Sequence, residues 1–109
     1  MQFVQKVWAR LGFFRTAPTR YHLWYYNSLV WHGTKWMGVT TLKSPSDMWN
    51  YQEILAELKP SLVVEFGTRY GGSALFFASV MRQLGGRFRV LTVDIDADTV
   101  SEKTREDSD

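Results

Sequence analysis

The chain has 109 residues, of which 45% are hydrophobic and 16% aromatic. That is enough for one small globular domain and argues against disorder. Cysteine is absent, which excludes disulfides, Cys-ligated zinc, iron–sulfur clusters and thiol nucleophiles. No apolar run approaches the ~18 residues of a membrane span. The first residues also lack the apolar stretch and small-residue cleavage site of a secretory signal, so a cytoplasmic location is expected. The net charge of +2 conceals an asymmetry. Lys6, Arg10, Arg15, Arg20, Lys35 and Lys43 all precede the first acid, Asp47, whereas acids dominate from Asp94 onward. The basic end by itself leaves a membrane surface, an anionic substrate or nucleic acid open as a partner. A solvated basic face is the plainer reading.

Residues 2–15 place Phe3, Val7, Trp8 and Leu11 at three- to four-residue spacing, which predicts an amphipathic helix broken at Pro18. The aromatic stretch that follows, YHLWYYNSLVWHGTKWMGV, reads either as a short helix or as an irregular loop ending near Gly33. Its tryptophans are better suited to core or lid packing than to stacking on bases, so no nucleic-acid partner is expected. His22 and His32 read as structural or surface residues.

A clearer helix start comes next. Ser44 suits the N-cap, Pro45 the first helical position, and Asp47 stands three residues on, as in a capping box. Met48, Tyr51, Ile54, Leu55 and Leu58 then recur on one face, and Pro60 marks the stop. The run SLVVEF is short, almost wholly apolar and β-branched, as in a buried parallel strand. Residues 71–84 are apolar round most of a helix, and Gly85–Gly86 ends it. RFRVLTVDID is a second strand, and the polar tail from Ala97 reads as frayed. The helices over 45–58 and 71–84 are expected to cover the two faces of the resulting small sheet.

Strand, glycine turn, helix, strand and acid form a βαβ unit. Gly67 permits a tight turn off the strand, and Gly71 and Gly72 let backbone approach a ligand or the sheet. The helix start near Gly71–Ser73 offers N–H groups and a positive dipole end. Asp94, ending the second strand, is placed to accept hydrogen bonds from ribose hydroxyls. The spacing is not that of a dinucleotide fingerprint, G-x-G-x-x-G, because Thr68 follows Gly67. An acid, Glu65, before the first glycine and no close phosphate approach suit a ligand with a cationic amino-acid end. S-adenosylmethionine fits that charge pattern better than NAD.

The segment GVTTLKSPSDMWNYQEILAELKPSLVVEFGTRYGGSALFFA, followed by VLTVDID, resembles the cephalosporin hydroxylase / rhamnosyl O-methyltransferase family of class I methyltransferases. The similarity runs from about Trp36 to Asp96. Lys43, Pro45, Asp47, Tyr51, Gln52 and Glu53 fall where that family's lead-in helix carries them. The resemblance implies an α/β, partial Rossmann-like methyltransferase fold: N-terminal helices plus one truncated βαβ unit. An aromatic, basic segment over 1–35 would precede the N-terminal part of the methyltransferase domain over 36–109.

The resemblance further implies S-adenosylmethionine held by Glu65, Gly67, Thr68, Gly71, Gly72, Ser73 and Asp94. It assigns little to Arg69 and Tyr70. The acceptor would be a small molecule: a sugar, a lipid-linked sugar or a small natural product. In longer relatives a divalent metal such as magnesium would join the site, with ligands outside this chain, so no metal ligand is assigned here. No catalytic base is assigned either. A fragment supplying two of about seven strands would be inactive alone, and a homo-oligomer stays open. The alternatives are a fragment of an NAD-dependent oxidoreductase or hydroxylase, and a non-catalytic module that docks a membrane or a partner.

Overall fold

A computed structural model describes residues 16–107, within two compact units, Met1–Val30 and Trp31–Asp109. The amphipathic helix expected over residues 2–15 lies outside the described residues.

In the first unit, the aromatic stretch resolves as helix α1, Ala17–Asn27. Pro18 stands in its first turn, where a missing N–H costs nothing, so here it starts a helix. The rings of Tyr21 and Tyr25 stack at 5.9 Å, and Tyr25 is buried. Ser28 closes the helix with its N–H on the Trp24 carbonyl, 2.9 Å away.

A 3-10 turn, Val30–Gly33, leads into the second unit, which continues with a hairpin of strands β1, Lys35–Trp36, and β2, Val39–Thr40. The hairpin has a physical cause that composition conceals. Met37 and Gly38 both adopt positive φ, 50° and 87°, the pairing of a two-residue I′-type turn whose twist matches its strands. Methionine is an unusual residue at such a position, which is why a turn was not expected there.

Helix α2 spans Pro45–Leu58 with Pro45 in its first turn, as expected. The capping box is not made. The Ser44 side chain caps no backbone N–H and instead pairs with the Ser46 hydroxyl at 2.8 Å. Lys59 ends the helix in the left-handed conformation at φ 45°, donating to the Leu55 carbonyl at 2.8 Å, and Pro60 prevents continuation. The expected apolar stripe divides. Leu55 is buried and Met48 and Tyr51 pack beside it, but Ile54 and Leu58 are exposed.

Strand β3, Leu62–Phe66, helix α3, Gly72–Leu84, and strand β4, Arg89–Val93, form the expected βαβ unit. The strands are parallel, in register from Leu62 with Arg89 to Phe66 with Val93. Leu55, Phe76, Phe77 and Met81 form the core, with Trp36, Val63 and Val90 packed against it. Trp36 meets Phe76 edge-on at 4.9 Å, while Trp24 and Trp49 are exposed, so the tryptophans are not uniformly core residues. Helices α2 and α3 therefore share one face of the sheet, the face carrying Val63, Glu65, Val90 and Thr92. The expectation that they cover both faces fails. Strand β3 is buried on that side alone, and Leu62, Val64 and Phe66 are exposed on the other.

The polar tail is also more ordered than composition suggests. A short helix α4, Glu102–Arg105, is capped by Ser101, whose side chain accepts from the Thr104 N–H. Lys103 donates to the Met37 carbonyl at 2.8 Å, and Arg82 pairs with Asp107.

Candidate functional site

The glycine loop leaves β3 at its C-terminal end. Gly67 adopts φ +96° with open space where a Cβ would stand, so conformation alone selects glycine here. Its N–H donates to the Val93 carbonyl at 2.7 Å, which prolongs the strand pairing by one residue. The Gly71 N–H then closes the loop onto the Thr68 carbonyl at 2.8 Å.

Gly71 and Gly72 serve a different need. A Cβ on Gly71 would lie 2.5 Å from Thr104 Cγ2, and one on Gly72 would lie 2.5 Å from the Thr40 carbonyl oxygen. Both distances are shorter than any real Cβ contact. The close approach that these glycines allow is thus to the chain's own segments, β2 and α4. Of the two readings the sequence offered, ligand or sheet, packing against the protein accounts for both.

Glu65 is 7% exposed and sits beneath the loop. Its Oε2 accepts from the Ser73 hydroxyl at 2.5 Å, and its Oε1 accepts from the Thr92 hydroxyl at 2.9 Å. Thr92 pairs in turn with the Thr68 hydroxyl at 2.7 Å. This network ties the ends of both strands to the start of α3. It also turns the carboxylate inward, so that any cationic ligand would meet Glu65 through its remaining lone pairs or through the hydroxyls around it. Thr92 was not singled out in the sequence. Its signal was a polar residue on the helix-facing side of an otherwise apolar strand.

Asp94 stands one residue beyond β4. Its Oδ2 accepts from the Arg69 N–H at 2.7 Å and its Oδ1 from the Asp96 N–H at 3.2 Å. The Arg69 and Asp96 amides hold its carboxyl below the ordinary value of 3.8, partial burial opposes them, and the Ile95 amide and the Arg69 charge add to the lowering. The carboxylate is therefore a committed anion, and each oxygen keeps a further lone pair for a hydroxyl donor. Arg69 and Tyr70 do act here, through backbone. Arg69, at φ 48°, presents its amide to Asp94, and the Tyr70 carbonyl accepts from the Ser101 N–H at 2.9 Å.

The expected site residues thus come together around two adjacent strand ends. Gly67, Thr68, Gly72 and Ser73 line a cleft of about 60 Å³ with Thr40, Thr41 and Lys43, whose lining does not include Gly71 or Asp94. That volume is well below the ~300–1,000 Å³ of a typical small-molecule pocket. A larger cavity of about 530 Å³ lies elsewhere, between the hairpin, α2 and α3, lined by Trp36, Met48, Trp49, Phe76, Val80 and Leu84. It is mostly apolar and takes in no residue of the glycine loop. His22 and His32 are exposed and line neither. Among the described residues, no group of three His, Asp or Glu side chains is placed to hold a metal ion.

The model of the rhamnosyl O-methyltransferase/CmcI family matches residues 28–108. The chain belongs to that family. Rhamnosyl O-methyltransferases from Mycobacterium tuberculosis (strain H37Rv) and Mycobacterium bovis (strain BCG) are each 60% identical to it over 89 residues. The one from Mycobacterium leprae is 68% identical over 75 residues. These matches cover 82% or 69% of this chain but only 36% or 33% of the relatives, so the chain spans about a third of their length. Among solved structures, CmcI with SAH matches at 31% identity and TM-score 0.59, over 62% of this chain and 34% of that one. CmcI with Mg-SAM matches at 30% identity and TM-score 0.62, over 64% and 30%. The fold is accordingly the N-terminal part of the CmcI methyltransferase fold.

No helix among the described residues is long and apolar enough to cross a membrane.

Proposed function

We propose that this chain carries the first cofactor-binding βα unit of an S-adenosylmethionine-dependent O-methyltransferase whose acceptor is a sugar hydroxyl. The observation that supports this most directly is the pair of carboxylates at adjacent strand ends. Glu65 is fixed beneath the glycine loop, and Asp94 is fixed as an anion beside it. A related CmcI structure holds Mg-SAM, and the curated relatives are rhamnosyl O-methyltransferases. Both agree with that reading.

The residues present fit the nucleoside and amino-acid parts of such a cofactor. Asp94 retains lone pairs for two ribose hydroxyls. The start of α3 presents first-turn N–H groups and the positive end of a 13-residue helix dipole toward a carboxylate. Glu65, with Ser73 and Thr92, keeps the surroundings of the loop negative enough for an ammonium group. When bound, the cofactor supplies an electrophilic methyl group on its sulfonium. The cleft of about 60 Å³ gives one wall for it, whereas methyl transfer needs reacting atoms held in line at ~3–3.5 Å with water excluded. The described residues bind and orient, and they do not enclose. The acceptor class extends to lipid-linked sugars, which would place the chemistry in lipid biosynthesis on the cytoplasmic side.

The test is isothermal titration of the purified chain with S-adenosylhomocysteine and with NAD. We expect weak binding of S-adenosylhomocysteine, at least tenfold weaker with Asp94→Ala, and no binding of NAD. Preference for NAD would overturn the assignment. A parallel assay with labelled S-adenosylmethionine and a panel of sugar and phenolic acceptors should show no incorporation above a Gly67→Val control.

A further inference from the structure

Past Asp94 the chain turns back to the glycine loop and takes up three successive carbonyls. The Arg69 carbonyl accepts from the Thr99 hydroxyl at 3.2 Å, the Tyr70 carbonyl from the Ser101 N–H at 2.9 Å, and the Gly71 carbonyl from the Thr104 hydroxyl at 3.3 Å. A trans peptide points the carbonyl of one residue and the N–H of the next in opposite directions. Drawing these carbonyls onto residues 99–104 therefore turns the amides of Tyr70, Gly71 and Gly72 the other way. The Gly71 amide closes onto the Thr68 carbonyl. Those of Tyr70 and Gly72 belong to residues that line the small cleft, whose lining includes no residue of 97–107.

The same contacts fix Arg69. It holds φ 48°, a conformation that a non-glycine residue keeps only where its surroundings impose it. Asp94 Oδ2 accepts from its N–H at 2.7 Å and the Thr99 hydroxyl donates to its carbonyl, so the residue is gripped at both ends. The segment that grips it is itself lightly anchored. None of residues 97–107 is buried. Polar contacts hold them: Arg105 on the Ala97 and Val100 carbonyls, Lys103 on the Met37 carbonyl, and Arg82 with Asp107. A segment with no buried apolar side chain lies at the low-stability end of a fold and opens locally.

We propose that residues 97–107 are a strap that gates the glycine loop. Closed, the strap sets the loop in the conformation that takes the cofactor, and bound cofactor holds the strap closed. This rests on the S-adenosylmethionine reading of the loop. Thr99 and Thr104 are positioning residues, acting through the backbone of Arg69 and Gly71. Asp94 joins strap to ligand, because the carboxylate assigned to the ribose is bonded to the residue that the strap grips. The coupling is reciprocal: whatever factor closure adds to cofactor affinity, the cofactor adds to closure.

Amide exchange of the 109-residue chain, followed by NMR, and isothermal titration with S-adenosylhomocysteine test this. Thr99→Val combined with Thr104→Val deletes both hydroxyls at nearly constant volume. In the free chain the Arg69 and Gly71 amides should then exchange at least fivefold faster, while Phe77 in the core stays as it was. S-adenosylhomocysteine should bind the same variant at least fivefold more weakly, and Thr99→Ser with Thr104→Ser should recover both properties. In the wild type, saturating S-adenosylhomocysteine should slow exchange at Ser101 at least fivefold. Loop amides indifferent to the valine substitutions would overturn the proposal. So would an unchanged affinity in that variant, or a Ser101 amide that ignores the bound ligand. A wild-type chain that binds no S-adenosylhomocysteine, yet whose loop amides respond as expected, would instead sink the cofactor assignment and support the loop's dependence on the strap.

Discussion

Gly72 lies directly against Thr40: a Cβ built on the glycine would stand 2.5 Å from the Thr40 carbonyl oxygen and closer still to the Thr41 hydroxyl. The Thr41 side chain could rotate, although it is buried and already donates to the Val39 carbonyl at 3.0 Å. The carbonyl belongs to backbone and cannot move aside without shifting β2. Gly72→Ala should therefore destabilise the chain by about 2–3 kcal/mol, the upper part of the range for overpacking a tight site. Gly67→Ala meets no atom and bears only the strain of a positive φ, about 1–2 kcal/mol. Urea denaturation of both variants checks the order. Equal losses, or a larger one at Gly67, would show that the hairpin yields easily.

The Glu65 carboxylate is held by two hydroxyl donors at 2.5 and 2.9 Å. Thr92→Val deletes one of them, and with it the partner of the Thr68 hydroxyl. The expected cost is about 1–3 kcal/mol, since a buried acceptor loses a bond. Thr92→Ser keeps the hydroxyl and should recover most of that loss. A serine variant as unstable as the valine variant would mean that the threonine methyl, rather than its hydroxyl, is what the site needs.

The depressed pKa of Asp94 fixes the sign of an acid effect. Its folded value lies below the ordinary 3.8, so its ionised form adds stability above the unfolded value. That contribution is lost as pH falls through the folded value. Between pH 5 and 8 it is constant. The wild-type chain should lose more stability than Asp94→Asn as pH drops from 4 toward 2, and the two should track each other above pH 5. Thermal melts across that range measure it. If both proteins respond alike below pH 4, the amides of Arg69 and Asp96 do not favour the anion.

Ser101 caps a helix of only four residues, yet its own N–H is bonded to the Tyr70 carbonyl in the glycine loop. Ser101→Ala removes an N-cap worth about 1 kcal/mol. Amide exchange of Ser101 should then speed up roughly fivefold, while the exchange of Phe77 in the core stays as it was. Unchanged exchange at Ser101 would show that the tail is held by the contacts of Lys103 and Arg82 alone.

Local chemistry made much of this legible in the sequence. Pro45 and Pro60 bracket α2, Gly85 follows α3, and the β-branched run before Gly67 gives β3. Asp94 was readable because an acid closing a strand after a βα turn has few other uses. What stayed hidden depended on distant partners. The roles of Gly71 and Gly72 are set by Thr104 and Thr40, far away in the chain. Ser44 looked like half of a capping box, but Ser46 competes for its hydroxyl. An apolar strand in a sequence states that burial is favourable without saying which side is buried, and here β3 is covered on one side only.

The clasping of Gly71 and Gly72 from opposite directions bears on how the chain acquires its shape during synthesis. Thr40 arrives 32 positions before Gly72 (72 − 40), whereas the Thr104 hydroxyl reaches the Gly71 carbonyl across 33 positions in the other direction. Contacts of such separation must overcome loop closure before they reward it, which slows their formation. At ~5–20 residues added per second, the hairpin and α2 have seconds to form before β4 is made. The glycine loop finds its first partners, the Val93 carbonyl and the Asp94 carboxylate, once β4 is complete, whereas the Thr104 hydroxyl reaches the Gly71 carbonyl only after residue 104 has been translated. That clasp is the last of the loop's described contacts to form, and a nascent chain halted near Asp94 would carry the loop held from the β4 side with Gly71 still unclasped.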